Sequence, residues 1–432
     1  MLKKKNLTGL LSAATLTLLA GCGSTPLPPD TGCGVPGGFC APATPVTSAT
    51  PVQPSYTPAP QPDSGVRTSP VEAPPNADGS MPSASALPAG SNVRVALLLP
   101  LESQALAQPA EAVRAGFMAG YERDRAGITV SLVPTGDSSQ AALEAYRSAA
   151  EQNDIVVGPL ARPAVAALAT GGVVTKPTVA LNHPQTGGAL PKQMLVIGLS
   201  LEDEARQVAD WANGEQPAGN ALVVTGRATW QQRLSGAFSA RWSELGRQHT
   251  TVELPIMDGY VDGNALAELR ARLQSETPQL MYAALDANQL RQVRSSLGTS
   301  LPTYATATAN PGRDAATLPA ELAGVRILDL PWTVQPDHPA VGQYPRSGIS
   351  DSLDLQRLYA LGIDAYRVAR ELAARPTGAF ELDGVTGRLS VDMSRPTPAF
   401  RRVETGAVVR DGASAATDGR VFDAAPGQVL GQ

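Results

Sequence analysis

The side chains with most chemical reach are three histidines, three cysteines and one acidic run, and their spacing argues against catalysis. His183, His249 and His338 are scattered. No His-Glu-x-x-His pair stands ready for zinc, and no Ser-x-x-Lys, Gly-x-Ser-x-Gly or Gly-Lys pair would supply a nucleophile or a phosphate cradle. Three Cys and three His are too few for a zinc or iron–sulfur scaffold built on repeated ligands. Glu202-Asp203-Glu204 would suit acid/base work. It follows Ser200 at capping-box spacing, however, and three carboxylates at the positive end of a helix are accounted for by the dipole. We therefore expect no catalytic residue, no metal and no cofactor. A formal net charge of −5 and an isoelectric point near 5.4 also lack the basic footprint of a nucleic-acid binder.

Binding groups are better represented. Loops after apolar runs offer Ser103, Gln104, Asp137, Gly158 and Asn182 in the first half of the folded region, and Arg227, Trp230 and Asp286 in the second. Gly158 near a helix start would leave N–H groups for an anion, and Trp230 would cap an apolar group. Turn chemistry at Gly158-Pro159 and interlobe packing of Trp230 account for the same residues without a ligand. His183, in Asn182-His183-Pro184, reads as a turn residue.

Such groups act together only if secondary structure converges them. Val93–Leu99 is a nearly continuous apolar run, suited to a parallel strand buried on both faces. Further strands are expected at Ile128–Val133, Asp154–Val157, Thr178–Leu181 and Leu195–Leu199, with helices between them. The alternation restarts after Leu199, with strands at Ala221–Thr225, Thr251–Leu254, Leu280–Leu285, Thr303–Thr306 and Val325–Leu330. A long helix follows from about Asp351 to Ala374, its Leu358, Leu361, Ala365, Val368 and Leu372 stepping by three and four. Strands alternating with helices give right-handed βαβ units. The fold class is α/β: two lobes, each a doubly wound parallel sheet, resembling the type I periplasmic binding-protein fold. On that analogy lobe 1 takes 92–200 and 325–384, lobe 2 takes 201–324 and 385–412, and 413–432 form a tail.

The N-terminus carries an address. Lys3-Lys4-Lys5 precedes an apolar run from Leu7 to Ala20, the pattern of a secretory signal over residues 1–21. It ends in Leu19-Ala20-Gly21-Cys22, which resembles a bacterial lipobox in which Cys22 takes the lipid. Several acyl chains on one residue anchor a protein stably. Gly23 and Ser24, rather than Asp, follow the Cys, which by resemblance implies the outer membrane, facing the periplasm. Residues 22–91 read as a Pro-rich disordered tether: 16 Pro and five charged residues lie between Gly23 and Gly90. Its polyproline reach is at most on the order of 200 Å. Cys33 and Cys40 either close a small disulfide loop in the oxidising exterior or stay free thiols.

Seven strings point further. Val95-Ala-Leu-Leu-Leu-Pro-Leu101, Val156-Val-Gly-Pro-Leu160, Val179-Ala-Leu-Asn182, Gly198-Leu-Ser-Leu-Glu-Asp-Glu-Ala205, Leu328-Asp-Leu-Pro-Trp332, Arg357-Leu-Tyr-Ala-Leu-Gly-Ile-Asp-Ala-Tyr366 and Gly384-Val-Thr-Gly-Arg-Leu-Ser-Val-Asp392 together resemble the LppC/LpoA-type lipoprotein family. That resemblance implies a non-enzymatic activator whose partner is a class A penicillin-binding protein, a peptidoglycan synthase. The chain departs from the best-known members in placing the tether where they carry a helical-repeat domain. The competing expectation is a lipid-anchored receptor delivering a small polar ligand, such as an amino acid or peptide, to an ABC importer.

Overall fold

Five fully buried residues, Val95–Leu99, make strand β1 (Val93–Leu99) the spine of the first lobe. In the computed structural model, residues 87–88, 90–185, 188–217, 219–346 and 350–425 are described. After β1 come α1 (Ala107–Arg123), β2 (Ile128–Pro134), α2 (Ser139–Gln152), β3 (Ile155–Val157), α3 (Arg162–Thr170), β4 (Thr178–Ala180) and β5 (Met194–Val196). Their sheet is parallel throughout, in the order β2-β1-β3-β4-β5.

The chain then crosses into α4 (Leu201–Glu215), β6 (Ala221–Thr225), α5 (Thr229–Glu244), β7 (His249–Glu253) and the small hairpin β8 (Ile256–Met257) and β9 (Tyr260–Val261). It continues through α6 (Gly263–Glu276), β10 (Leu280–Ala284), α7 (Ala287–Leu297), β11 (Thr303–Ala305) and β12 (Arg326–Asp329). It returns to the first lobe as α8 (Pro331–Val334), α9 (Leu353–Ala374), β13 (Ala379–Asp383), β14 (Arg388–Asp392) and β15 (Ala399–Val403), and ends in the second as β16 (Thr405–Val409), α10 (Gly412–Asp418) and β17 (Phe422–Ala424). The second sheet runs β17-β16-β12-β11-β10-β6-β7. Ser200 caps α4, its Oγ accepting from Asp203 N–H at 3.2 Å, as the capping spacing requires.

The two-lobed α/β expectation therefore holds, with corrected boundaries. β12 lies in the second sheet, parallel to β11 and antiparallel to β16, so lobe 2 extends past 324. Residues 385–403 stay with lobe 1, because Leu389 and Val391 of β14 pack into the same core as β1 and α9. Residues 413–425 are no tail: they form most of α10 and then β17, which pairs with β16 to complete the second sheet. The head begins earlier than Asn92, since Leu87 already packs against the first core. The signal, Cys22, Cys33, Cys40 and most of the tether lie outside the described residues.

Helices α1 and α9 press together through glycine. A Cβ on Gly116 would lie 1.9 Å from Tyr359 O, and one on Gly362 would lie 2.1 Å from Val113 O. Gly362→Ala should cost roughly 1–3 kcal/mol by overpacking, even against the ~1 kcal/mol that Ala normally adds to a helix. A lowered urea midpoint would show it; an unchanged one would mean the helices separate freely.

Candidate functional site

The main chain passes between lobes three times, at Ile197–Ser200, Asp329–Pro331 and Val403–Thr405, and buried charge gathers at all three passages. Asp329, fully buried at the end of β12, accepts from Arg357 Nε at 3.1 Å and Nη2 at 2.7 Å, from Asn310 Nδ2 at 2.8 Å and from Leu330 N–H at 2.7 Å. Arg357 is carried by the first turns of α9. It also donates to Ala307 O at 2.7 Å and to Asp354 at 3.0 Å, so one guanidinium ties lobe 1 to the end of β11. Burial alone would depress it, but the Asp329 charge and hydrogen bonds outweigh burial and hold it protonated above the usual range.

Arg402 does the same work at the first passage, donating to Ile197 O at 2.7 Å, Gly198 O at 3.0 Å and Thr386 Oγ1 at 3.1 Å. Thr386 is fixed in turn by buried Asp364, which accepts from its N–H at 2.8 Å and its hydroxyl at 2.7 Å. At the third passage, Glu404 N–H donates to Gln207 Oε1 at 3.0 Å.

Glu204 and Glu404 stand beside these pairs and are 4% exposed. Burial first, then the Asp329 charge, pushes the Glu204 carboxyl up to about 8, against the opposing pull of Arg357. Burial and then Glu204 push Glu404 well above the carboxylate range. One oxygen of each has no hydrogen-bond partner among the described residues. The arrangement pins the passages together. A cavity of about 260 Å³ opens onto it, lined by Leu199, Glu204, Ala307, Arg357 and neighbours from both lobes.

The loop residues expected to line the cleft serve other ends. Ser103 is buried and its Oγ accepts from Leu106 N–H at 2.9 Å, fixing the approach to α1. Gly158 has no free N–H, since it donates to Val179 O at 2.8 Å; its φ of +117° and a Cβ position 2.0 Å from Leu98 O explain why glycine is needed. Asn182 ties neighbouring loops, donating to Leu160 O and accepting from His183 N–H. His183 Nε2 sits 3.2 Å from Gly198 O. Asp286 is the N-cap of α7, in a capping box with Gln289. Arg227 is exposed and paired with Glu253 at 2.7 Å, and Trp230 packs on the second-lobe core rather than between lobes. Gln104 and Asp137 are exposed. None of the eight lines the cavity at the passages.

The residues that do meet there were missed. Glu204 was read with its neighbours as helix-dipole charge; Glu202 and Asp203 do pair outward, with Arg233 and Arg206, but Glu204 turns inward. Arg357 left one signal: it lies four residues before Leu361 on the apolar stripe of α9. Among the described residues no His, Cys, Asp or Glu cluster could hold a metal ion, and no helix is long and apolar enough to cross a membrane.

Comparison with known proteins gives the head a context. Residues 83–397 match the family model described as "LppC putative lipoprotein". The chain is 26% identical over 331 residues to the penicillin-binding protein activator LpoA of Photobacterium profundum, covering 69% of this chain and 53% of that one. A similar relative in Glaesserella parasuis is 27% identical over 312 residues, covering 68% and 50%. The chain thus spans about half the length of the curated relatives it matches. Among solved structures, the C-domain of LpoA from Haemophilus influenzae, a regulator of PBP1A, superposes with a TM-score of 0.60 at 24% identity, over 74% of this chain and 98% of that one. A structure from Chromobacterium violaceum, described as a "putative branched-chain amino acid ABC transporter", superposes with a TM-score of 0.62 at 34% identity, over 73% and 99%.

Proposed function

The chain belongs to the LppC lipoprotein family, and from that premise we propose a non-catalytic activator of a class A penicillin-binding protein, held in the outer membrane by lipid on Cys22 with its head in the periplasm. The observation that carries this reading is the likeness of the head, over 69% of the chain, to proteins named as penicillin-binding protein activators. The bilobal build supports it physically: two sheets joined at three passages, tied by one cluster of buried charge, present a broad surface.

The test adds the full chain to each class A synthase of the same organism and follows glycan polymerisation and peptide cross-linking. Stimulation together with co-purification is expected; neither effect with any of these synthases would end the proposal. In cells, Cys22→Ala should abolish acyl labelling and deplete the protein from the outer-membrane fraction, leaving the apolar run of residues 7–20 as its remaining hold on a membrane. An outer-membrane share equal to that of wild type would contradict the anchoring. The Chromobacterium violaceum likeness supports a second reading, an importer's solute receptor, which instead predicts inner-membrane fractionation and no synthase response.

A further inference from the structure

The small hairpin of β8 and β9 breaks the alternation expected of it. Successive strand residues point to opposite faces, so a hairpin lying on a lobe should turn apolar side chains inward and polar ones outward. Ile256 and Val261 do pack inward, against the second-lobe core. The residues on the other face, however, are Met257 and Tyr260, a directly opposed cross-strand pair that is 78% and 70% exposed. They are the two most exposed large apolar side chains among the described residues.

The backbone beneath this pair is built to hold it in water. Asp258 and Gly259 both have positive φ, +50° and +82°, as a type I′ turn requires, and Asp-Gly is a preferred sequence for it. Gln292 of α7 clamps the hairpin, donating Nε2 to Gly259 O at 2.9 Å and accepting from Val261 N–H at 3.0 Å. Asp262 N–H closes the base by donating to Pro255 O at 3.0 Å. The hairpin follows β7, the outermost strand of the second sheet, four strands and so roughly 19 Å from β12. A pre-formed turn leaves little to order on contact, which suits a binding anchor.

Charge selects the occupant. Residues 248–269 carry four carboxylates, Glu253, Asp258, Asp262 and Glu268, and no Lys or Arg. The fold brings up Arg227, already paired with Glu253 at 2.7 Å, and Arg291, which donates to Asn288 beside the turn at 3.1 Å. An acidic tip is repelled by an anionic lipid surface, and a two-fold contact between copies would set Asp258 against Asp258. A protein pocket with an apolar floor and a rim of Lys or Arg complements it. We propose that Met257 and Tyr260 form the knob by which the head seats in such a pocket on its class A synthase. The partner's identity rests on the reading of the head as a synthase activator; the anchoring role rests on the hairpin.

The experiment measures affinity for, and stimulation of, each class A synthase of the same organism by the full chain as wild type, as Met257→Ser with Tyr260→Ser, and as Asp258→Asn. Both apolar side chains stand in water, so the double variant should keep the wild-type urea midpoint while its affinity and stimulation fall at least tenfold. Asparagine suits the same turn, so Asp258→Asn should keep the hairpin and bind with a flatter salt dependence. In cells, Tyr260→p-benzoylphenylalanine should photocrosslink to the synthase. Stimulation by wild type that is undiminished in the double variant would overturn the anchor and leave the activator reading standing; a wild type without effect on any synthase would overturn both. Crosslinks to lipid or to a second copy, or a salt dependence unchanged in Asp258→Asn, would overturn the assigned pocket.

Discussion

Asp329→Ala is expected to destabilise the head by about 3–5 kcal/mol, the cost of stranding one member of a buried ion pair. Asp329 is fully buried and its partner Arg357 nearly so, whereas Asp354, the other carboxylate that pairs with that guanidinium among the described residues, is exposed. Removing Asp329 therefore leaves a desolvated cation whose remaining buried acceptor is Ala307 O. It also frees Asn310 Nδ2 and Leu330 N–H, which both donate to the lost carboxylate. Asp329→Asn preserves shape and one acceptor, so its cost should fall between that of Ala and zero. Urea unfolding of wild type, Asp329→Ala, Arg357→Ala and the double variant forms a closed cycle: the double variant should be less destabilised than the sum of the singles, because neither charge is then left alone. Strict additivity would show that the pair carries no coupling.

Stability should also fall as pH rises, in a window set by Glu204. Its carboxyl moves from an ordinary 4.5 to about 8 on folding, so between these values the folded state holds a proton that the unfolded chain has released. Its contribution is fully present below about 4.5 and is lost as pH climbs through about 8. The shift bounds the effect at about 5 kcal/mol. The groups around it act in both directions: Asp329 and Glu404 favour the neutral form, and Arg357 and Arg402 oppose it. Glu204→Gln fixes the neutral state, so it should reduce the slope, although Glu404 still titrates with the same sign, and stabilise the protein by a few kcal/mol near pH 8 while changing little near pH 5. Half-buried His249 titrates with the opposite sign but is common to both proteins, so it cancels in the comparison. Parallel slopes in the two proteins would show that Glu204 is already charged when folded.

The elements that were legible in the sequence are those whose burial repeats locally. β1 reads as a nearly continuous apolar run because both faces of its sheet are covered, and α9 reads as a stripe because one side packs on α1. Which sheet a strand joins is not local information. β12 is equally apolar in either lobe, and only its pairing with β11 and β16 assigns it. The candidate binding residues carry a second, local explanation. Polar residues after strands suit a cleft, yet Asp286 and Ser103 also serve helix starts, which need acceptors for free N–H groups. Conversely, Glu204, Arg357 and Arg402 sit within runs that local rules already explain, and their meeting depends on three passages brought together from distant parts of the chain.

The order of strands in the second sheet has a consequence for how the molecule is made. β12 takes its outer neighbour from β16, which follows only after the whole return through the first lobe, while everything on its other side is synthesised earlier. A polypeptide threaded through a membrane N-terminus first would thus hold β12 as a bare, sticky border until β16 emerges. In such a chain, completion of the second sheet would wait on the whole return through the first lobe, and β12 would need shelter until then.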